Sequence, residues 1–248
     1  MPSYDTEFFR YVNSGAIRSA RSVLPHLIEP LGVGSVLDVG CGQGAWLSVW
    51  RELGVAAVAG LDGDYVERDS LLVDASEFHA HDLSRPFSLG RRFDIVQCLE
   101  VAEHLPTASS AGLVASLVEH GDIVLFSAAP KGQGGDNHIN EQDYEFWRAQ
   151  FAAHDYVAVD YLRPRVIDDT SVEPWYRFNT FIYVGAGRLA ALPAPLRAAA
   201  VPDDRPLADL SPALYQFRKS LVRLLPVPVM TGLAKIKERV VSRSRAGG

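Results

Sequence analysis

Hydrophobic positions in this chain fall into two periods, and the period separates helix from strand. Residues 6–28 place Phe8, Phe9, Val12, Ile17, Val23, Leu24 and Leu27 at helical spacing. This predicts one or two helices with a break at Asn13, Ser14 and Gly15. Short apolar runs then recur at 35–39, 55–61, 78–81, 93–98, 122–127, 156–161 and 178–184. Helical patterns separate them at 45–53, 107–119 and 142–153, the first closed by Gly54 in the position a C-cap prefers. Strands alternating with helices predict βαβ units: an α/β, Rossmann-like sandwich of three layers around a mostly parallel sheet. The last two strands are joined by a polar, Pro-rich stretch, 163–174, in which no helix is read. That connection predicts an antiparallel pair. Residues 186–209, rich in Ala, Pro and Leu, read as a linker with scattered helical turns. The chain thus divides into 1–34, a compact domain over 35–185, and a linker with a tail over 186–248.

Composition narrows the class. The chain has 248 residues, 48% hydrophobic and 22% charged, which excludes a disordered or collagen-like protein. Its 2 Cys cannot form a disulfide framework, and the first nine residues lack the basic-then-apolar order of a secretion signal. A cytoplasmic protein is the expectation. Charge is uneven: from Ser211 onward eight Lys and Arg stand against one acid, and the preceding part holds sixteen against twenty-nine. So acidic a body argues against bulk nucleic-acid binding.

The first strand runs into Asp38-Val-Gly-Cys-Gly-Gln-Gly44, where closely spaced glycines let the backbone turn sharply and approach a ligand. Two ligands compete for this loop. Gly40, Gly42 and Ala45 satisfy the dinucleotide pattern G-x-G-x-x-G/A. Asp38, however, would repel a pyrophosphate, and its carboxylate suits the cationic amino-acid end of S-adenosylmethionine. Asp62 suits ribose hydroxyls, and Asp82 the adenine amino group. A plainer reading makes these acids caps and turn residues.

The string VLDVGCGQG, Asp62 twenty-four residues after Asp38, and FDIVQCLEVAEHLP resemble the class I S-adenosylmethionine-dependent methyltransferases over about 35–184. The resemblance implies a seven-stranded sheet with an antiparallel last strand, a helical lid before it, and methyl transfer from a sulfonium. It implies cofactor contacts from Asp38, Gly40, Cys41, Gly42, Gly44, Asp62, Gly63, Asp82, Leu83 and Leu99. More narrowly, the segments GQGG and HINEQ resemble bacterial methyltransferases acting on sugars or glycan-containing metabolites.

An alcohol is a poor nucleophile, so a base, a metal or both should stand beside the methyl group. Glu100, Glu103 and His104 fall within one turn after the fourth strand, and His138 comes from the next strand's loop. Small-RNA 2′-hydroxyl methyltransferases hold Mg²⁺ or Mn²⁺ with a similar E-x-x-E-H and distal His. A metal site, His138 as base without metal, and mere loop ordering all remain open. Gln133, Asn137, Asn140, Glu141 and Gln142 form a polar loop suited to sugar hydroxyls, and Trp175 and Tyr176 can wall an acceptor pocket. Arg177 and Asn179 share that position. Cys41 and Cys98 read as small buried residues.

In the tail, a helix over 231–242 would set Leu233, Ile236 and Val240 opposite the bases, fit for an anionic membrane, a partner or the chain's own domain. The leading expectation is an O-methyltransferase acting on a hydroxyl of a sugar, glycolipid or glycosylated metabolite, in the cytoplasm or at the membrane surface. Methylation of a small phenol, quinone precursor or amine is the alternative on the same fold. An NAD(P)-dependent enzyme and a non-catalytic cofactor-binding subunit are the alternatives of other classes.

Overall fold

A computed structural model of the chain describes residues 6–223 and Gly232, with side chains from residue 13 onward. The tail helix expected over 231–242 lies outside the described residues, apart from Gly232. Seven strands form one sheet: β1 (Ser35–Val39), β2 (Ala57–Asp62), β3 (Phe78–Ala80), β4 (Ile95–Leu99), β5 (Ile123–Ser127), β6 (Tyr156–Val159) and β7 (Phe181–Gly185). Their order is β3-β2-β1-β4-β5-β7-β6, with only β7 antiparallel to its neighbours. Helices α1 (Thr6–Val23), α2 (Pro25–Leu31), α3 (Ala45–Glu52), α4 (Ser110–His120), α5 (Tyr144–Ala152), α6 (Arg163–Val166) and α7 (Pro174–Asn179) accompany the strands. After β7 come α8 (Ala186–Leu189), α9 (Ala194–Ala198) and α10 (Ala213–Val222).

The uninterrupted apolar runs are explained by burial on both sides. Along β5, Ile123 and Leu125 pack in one core and Val124 and Phe126 in the other. The first core gathers α1, α2, α3 and α7; the second gathers α4 and α5. The seven strands and the antiparallel last strand therefore match the sequence reading.

Three local expectations are corrected. Helix α1 runs unbroken through Asn13, Ser14 and Gly15; the glycine leaves room for the Glu173 side chain, whose Oε1 would stand 2.8 Å from a Cβ there. The interruption falls instead at Leu24, before Pro25 opens α2. Helices also intervene before β7, with Pro164 and Pro174 at the first turns of α6 and α7, so Phe178 is helical.

Third, residues 186–209 are packed rather than free. Leu192, Leu196 and Leu207 are buried. Val159 and Ala200 form an antiparallel bridge along the outer edge of β6, which would otherwise present unpaired backbone groups. The Arg148 guanidinium straps this segment by donating to the carbonyls of Val201, Pro202 and Arg205 at 3.0, 2.6 and 2.7 Å. Buried Arg163 stacks 3.8 Å from the Phe181 ring and donates to Ala208 O at 2.8 Å. No helix among the described residues is long and apolar enough to cross a membrane.

Candidate active site

Strand order reverses between β1 and β4, and such a switch point leaves a crevice at the strands' C-terminal ends. The glycine turn lies there. Gly40 N and Cys41 N donate to Leu61 O at 2.7 and 3.1 Å, tying the turn to β2. Gly42 N donates to Asp62 Oδ2 at 2.7 Å, and Gly63 N and the Tyr65 hydroxyl donate to Oδ1 at 2.7 and 2.5 Å. Asp62 thus carries out two tasks at once, closing the turn and presenting a carboxylate to the crevice. Asp82 is held by Ser84, whose hydroxyl and amide donate at 2.6 and 3.0 Å and keep the carboxyl below its usual range.

Asp38 is buried at 3% exposure, level with Gln97 on β4. Burial pushes its carboxyl up to about 7; the Gln97 side chain opposes the rise and the Asp62 charge adds to it. The unfolded chain ionises Asp38 near the ordinary value of 3.8, so between there and about 7 the folded state binds the extra proton. Stability must fall as pH rises through that window. Asp38→Asn removes the burden, and its unfolding free energy should exceed that of the wild type by an amount growing to about 4 kcal/mol above pH 8. Chemical denaturation of both proteins at pH 5 and pH 8 checks it; an equal difference at the two pH values would refute the assignment.

The opposite wall of the crevice is built where β4 ends. Glu100 adopts φ 55, a left-handed conformation that costs a non-glycine residue about 1 kcal/mol or more. It is held by its N–H donating to Ser127 O at 3.0 Å, and Gln133 Nε2 donates to Glu100 Oε2 at 2.9 Å. Asn179 in turn donates to Gln133 Oε1 at 2.8 Å. Glu103 is fully buried, and its backbone carbonyl accepts from Ile139 N and Asn140 N at 2.9 and 3.0 Å, docking the His138 loop onto the E-x-x-E-H turn. The rings of His104 and His138 then meet edge to face at 4.9 Å. Glu103, His104 and His138 each offer one donor atom, all within 4.8 Å of one another.

The electrostatics of this corner are unusual. Glu100 Oε1 and both Glu103 carboxylate oxygens have no well-formed hydrogen bond from the described residues, although the Ser127 side chain and the backbone of Glu103 and Ala129 lie near enough to offset part of the cost of burial. Burial raises both carboxyls, and the neighbouring Glu100 charge raises Glu103 further. Burial and the His138 charge lower His104 to about 4, so its ring is neutral near pH 7. His104 Nδ1 lies 3.3 Å from Asn137 O and must donate to it, which leaves the Nε2 lone pair free. His138 Nδ1 donates to Glu141 Oε1 at 2.9 Å, leaving its own Nε2 as the basic nitrogen. Gly135 makes room for that ring: a Cβ there would stand 2.0 Å from His138 Nε2.

One cavity of about 1490 Å³ joins both walls, more than a single drug-sized ligand needs. Of the residues expected at a cofactor, Asp38, Gly40, Cys41, Gly42, Asp62, Gly63, Asp82, Leu83 and Leu99 line it. Gly44 is not in that lining; it opens α3 at φ 84. Glu100, Glu103, His104, His138, Gln133, Asn137, Trp175, Tyr176 and Asn179 line the same space.

Three expected substrate residues point elsewhere. Asn140 is buried, donating to Ala102 O at 3.1 Å and accepting from Thr107 Oγ1 at 2.7 Å. Gln142 donates to Asn140 at 3.0 Å. Glu141 accepts from Gly132 N and Gly134 N at 2.8 and 2.7 Å and from His138. Glu141 satisfies the loop's backbone, Asn140 bonds the turn after β4, Gln142 bonds Asn140, and none of the three lines the cavity. Arg177 also turns away, donating to Asp169 O at 3.3 Å. Cys41 and Cys98 are unpaired, and burial raises both thiols well above their usual range, so neither is a nucleophile.

Trp46, Gln97 and Tyr65, to which no motif in the sequence assigns a role, also line the cavity from α3, β4 and the turn after β2. Only Gln97 carried a signal, a lone amide in an apolar strand. Tyr215, Arg218 and Lys219 of α10 line it too, and nothing local in the sequence points there.

The family model described as a methyltransferase domain matches residues 13–165. The chain belongs to that family. It is a class I S-adenosylmethionine-dependent methyltransferase, which retires the dinucleotide reading of Gly40 to Ala45. Solved structures share the fold of this methyltransferase. The sugar N-methyltransferase KedS8 of Streptoalloteichus aligns with a TM-score of 0.54 and 19% identity over 74% of this chain and 96% of its own. DesVI of Streptomyces venezuelae aligns at 0.51 and 16%, over 72% and 96%. Magnesium protoporphyrin IX methyltransferase of Synechocystis aligns at 0.51 and 18%, over 74% and 84%. No curated protein matches the methyltransferase's sequence.

Proposed function

We propose that this methyltransferase alkylates a hydroxyl of a sugar or other polyol, a glycolipid or glycosylated metabolite among them. The observation that carries the reading is the corner of His138, His104, Glu103 and Glu100. A hydroxyl must lose a proton in order to react, and this corner pairs a directed imidazole with buried carboxylate oxygens that lack well-formed hydrogen bonds.

When bound, S-adenosylmethionine supplies a methyl group already activated by positive sulfur. The chain seats it, aims the acceptor and takes the proton. In this reading Asp38 faces the cationic amino-acid end, Asp62 the ribose hydroxyls, and Asp82 with Leu83 the adenine. Gly40, Gly42 and Cys41 let the backbone come close, and Gly63 and Leu99 flank them. Gln133, Asn137, Trp175 and Tyr176 orient the acceptor. The acceptor hydroxyl gives its proton to His138 Nε2 as its oxygen takes the methyl group, and Glu141 holds the imidazolium that results.

The same corner fits a divalent cation. An unpartnered oxygen on Glu103 and a ring nitrogen on each of His104 and His138, all within 4.8 Å of one another, form a mixed oxygen and nitrogen donor set. Glu103, His104 and His138 would hold Mg²⁺ or Mn²⁺, with Glu100, expected as a fourth ligand, outside that group and bonded to Gln133, and the ion would lower the pKa of a hydroxyl beside it. His138 is then a ligand rather than the base.

The test is a panel of paired hydroxy and amino sugars with phenols, assayed for S-adenosylhomocysteine release before and after EDTA treatment. Methylation at oxygen that persists in EDTA is the expected result and leaves His138 as base. Activity lost with EDTA and restored by Mn²⁺ would instead make His138 a ligand of the cation; a product methylated at nitrogen overturns the acceptor assignment.

A further inference from the structure

Helix α10 is packed inside out. Its buried residue is a cation, Lys219 at 7% exposure, whereas Leu214, Phe217 and Leu221 are 76%, 62% and 53% exposed. The spacing 214, 217, 221 puts these three side chains in one stripe along the helix. The inward side is attached mostly through polar bonds. Lys219 pairs with Asp209, Arg218 donates to Gln133 O at 3.0 Å, and Arg223 donates to Lys131 O at 2.8 Å and to Asp143 at 3.1 Å. The Tyr215 ring meets Phe178 edge-on at 6.0 Å. A helix serving only to wall the cavity would turn its apolar residues inward and its charges to water. This one leaves three large apolar side chains in water beside Arg218 and Arg223, both exposed.

Charge identifies what covers the stripe. From Ser211 onward the chain carries eight bases against one acid, while the preceding part carries twenty-nine acids against sixteen bases. An anionic surface would repel the body and attract this segment alone, and Arg and Lys beside an apolar stripe are what such a surface binds. We propose that α10 is an interfacial helix that inserts Leu214, Phe217 and Leu221 into an anionic phospholipid surface. Because Tyr215, Arg218 and Lys219 of the same helix line the cavity, docking holds the cavity rim against the lipid headgroups. The inference does not depend on which atom of the acceptor is methylated.

The experiment is sedimentation of the full chain with sucrose-loaded vesicles of phosphatidylcholine alone or mixed with phosphatidylglycerol. The expected result is binding to the mixed vesicles, weakened by high salt. The triple substitution Leu214→Ser, Phe217→Ser and Leu221→Ser should then bind about tenfold to a hundredfold more weakly. Calorimetry with S-adenosylhomocysteine should give the same affinity for both proteins, showing that the fold is intact. No binding of the wild type to anionic vesicles overturns the proposal, as does a triple variant that binds like the wild type. A wild type that sediments as a dimer without lipid and a variant that does not would assign the stripe to a second copy of the chain, and would also overturn it.

Discussion

Replacing His138 with alanine should lower kcat by about 10² to 10⁴-fold, the range spanned by removing a positioned proton acceptor. The size follows from how much of the structure holds one ring in place. Glu141 fixes its tautomer, and the Glu103 carbonyl pins the loop on either side of Ile139. Gly135 leaves the ring its space. Cofactor affinity should stay within about twofold, since His138 lies on the wall away from the glycine turn. Steady-state kinetics with a turned-over acceptor, alongside calorimetry with S-adenosylhomocysteine, separates the two quantities. A kcat within about fivefold of wild type would place the proton transfer elsewhere. Glu141 keeps two backbone donors in the variant, so stability should change little.

Gly40→Ala should reduce affinity for S-adenosylhomocysteine by about 10²-fold or more and destabilise the protein by about 2–5 kcal/mol. Gly40 has φ +82, and an added Cβ would stand 2.2 Å from Val101 Cγ2 and 2.9 Å from Cγ1. Two penalties therefore coincide: the left-handed backbone, and a clash with a short, stiff side chain. Relief requires the turn to move, which breaks the 2.7 Å bond from Gly40 N to Leu61 O that registers it on β2. Gly54→Ala is the control. Gly54 is as left-handed, with φ +91, but has nothing within 4 Å, so only the backbone penalty of about 1–2 kcal/mol applies. Equal effects in the two variants would show that the close approach of Val101 is not what requires glycine.

The residues proposed for the cofactor were legible as neighbours in one crevice because their signals are local. Asp38 and the glycine turn are consecutive, and Asp62 and Asp82 follow strands recognisable from their own apolar runs. The corner proposed to take the proton was half legible. Glu100, Glu103 and His104 share one turn, and His138 was singled out by the chemistry of its loop. Its neighbours Asn140, Glu141 and Gln142 look equally fit to meet a substrate, since a polar side chain does not reveal whether it will serve a ligand or a backbone N–H. Only the folded loop, which must satisfy Gly132 N, Gly134 N and Ala102 O, shows that they face inward. Helices α6 and α7 were hidden by their prolines, which read as breaks in a sequence and serve as first-turn residues in the structure.

By itself the sequence determined the alternation of strands and helices and the carboxylate-guarded glycine turn; the antiparallel final pair was anticipated, but from a connection read as helix-free that in fact holds α6 and α7. The first two are set by neighbours a few residues apart, through side-chain periodicity and backbone conformation. Tertiary structure alone decided that 186–209 covers the edge of β6, that Asn140 and Glu141 serve the loop rather than the cavity, and that α10 lines the cavity with its apolar side outward. Those outcomes depend on contacts between residues far apart in the chain, where burial and charge pairing are settled only once the sheet has formed.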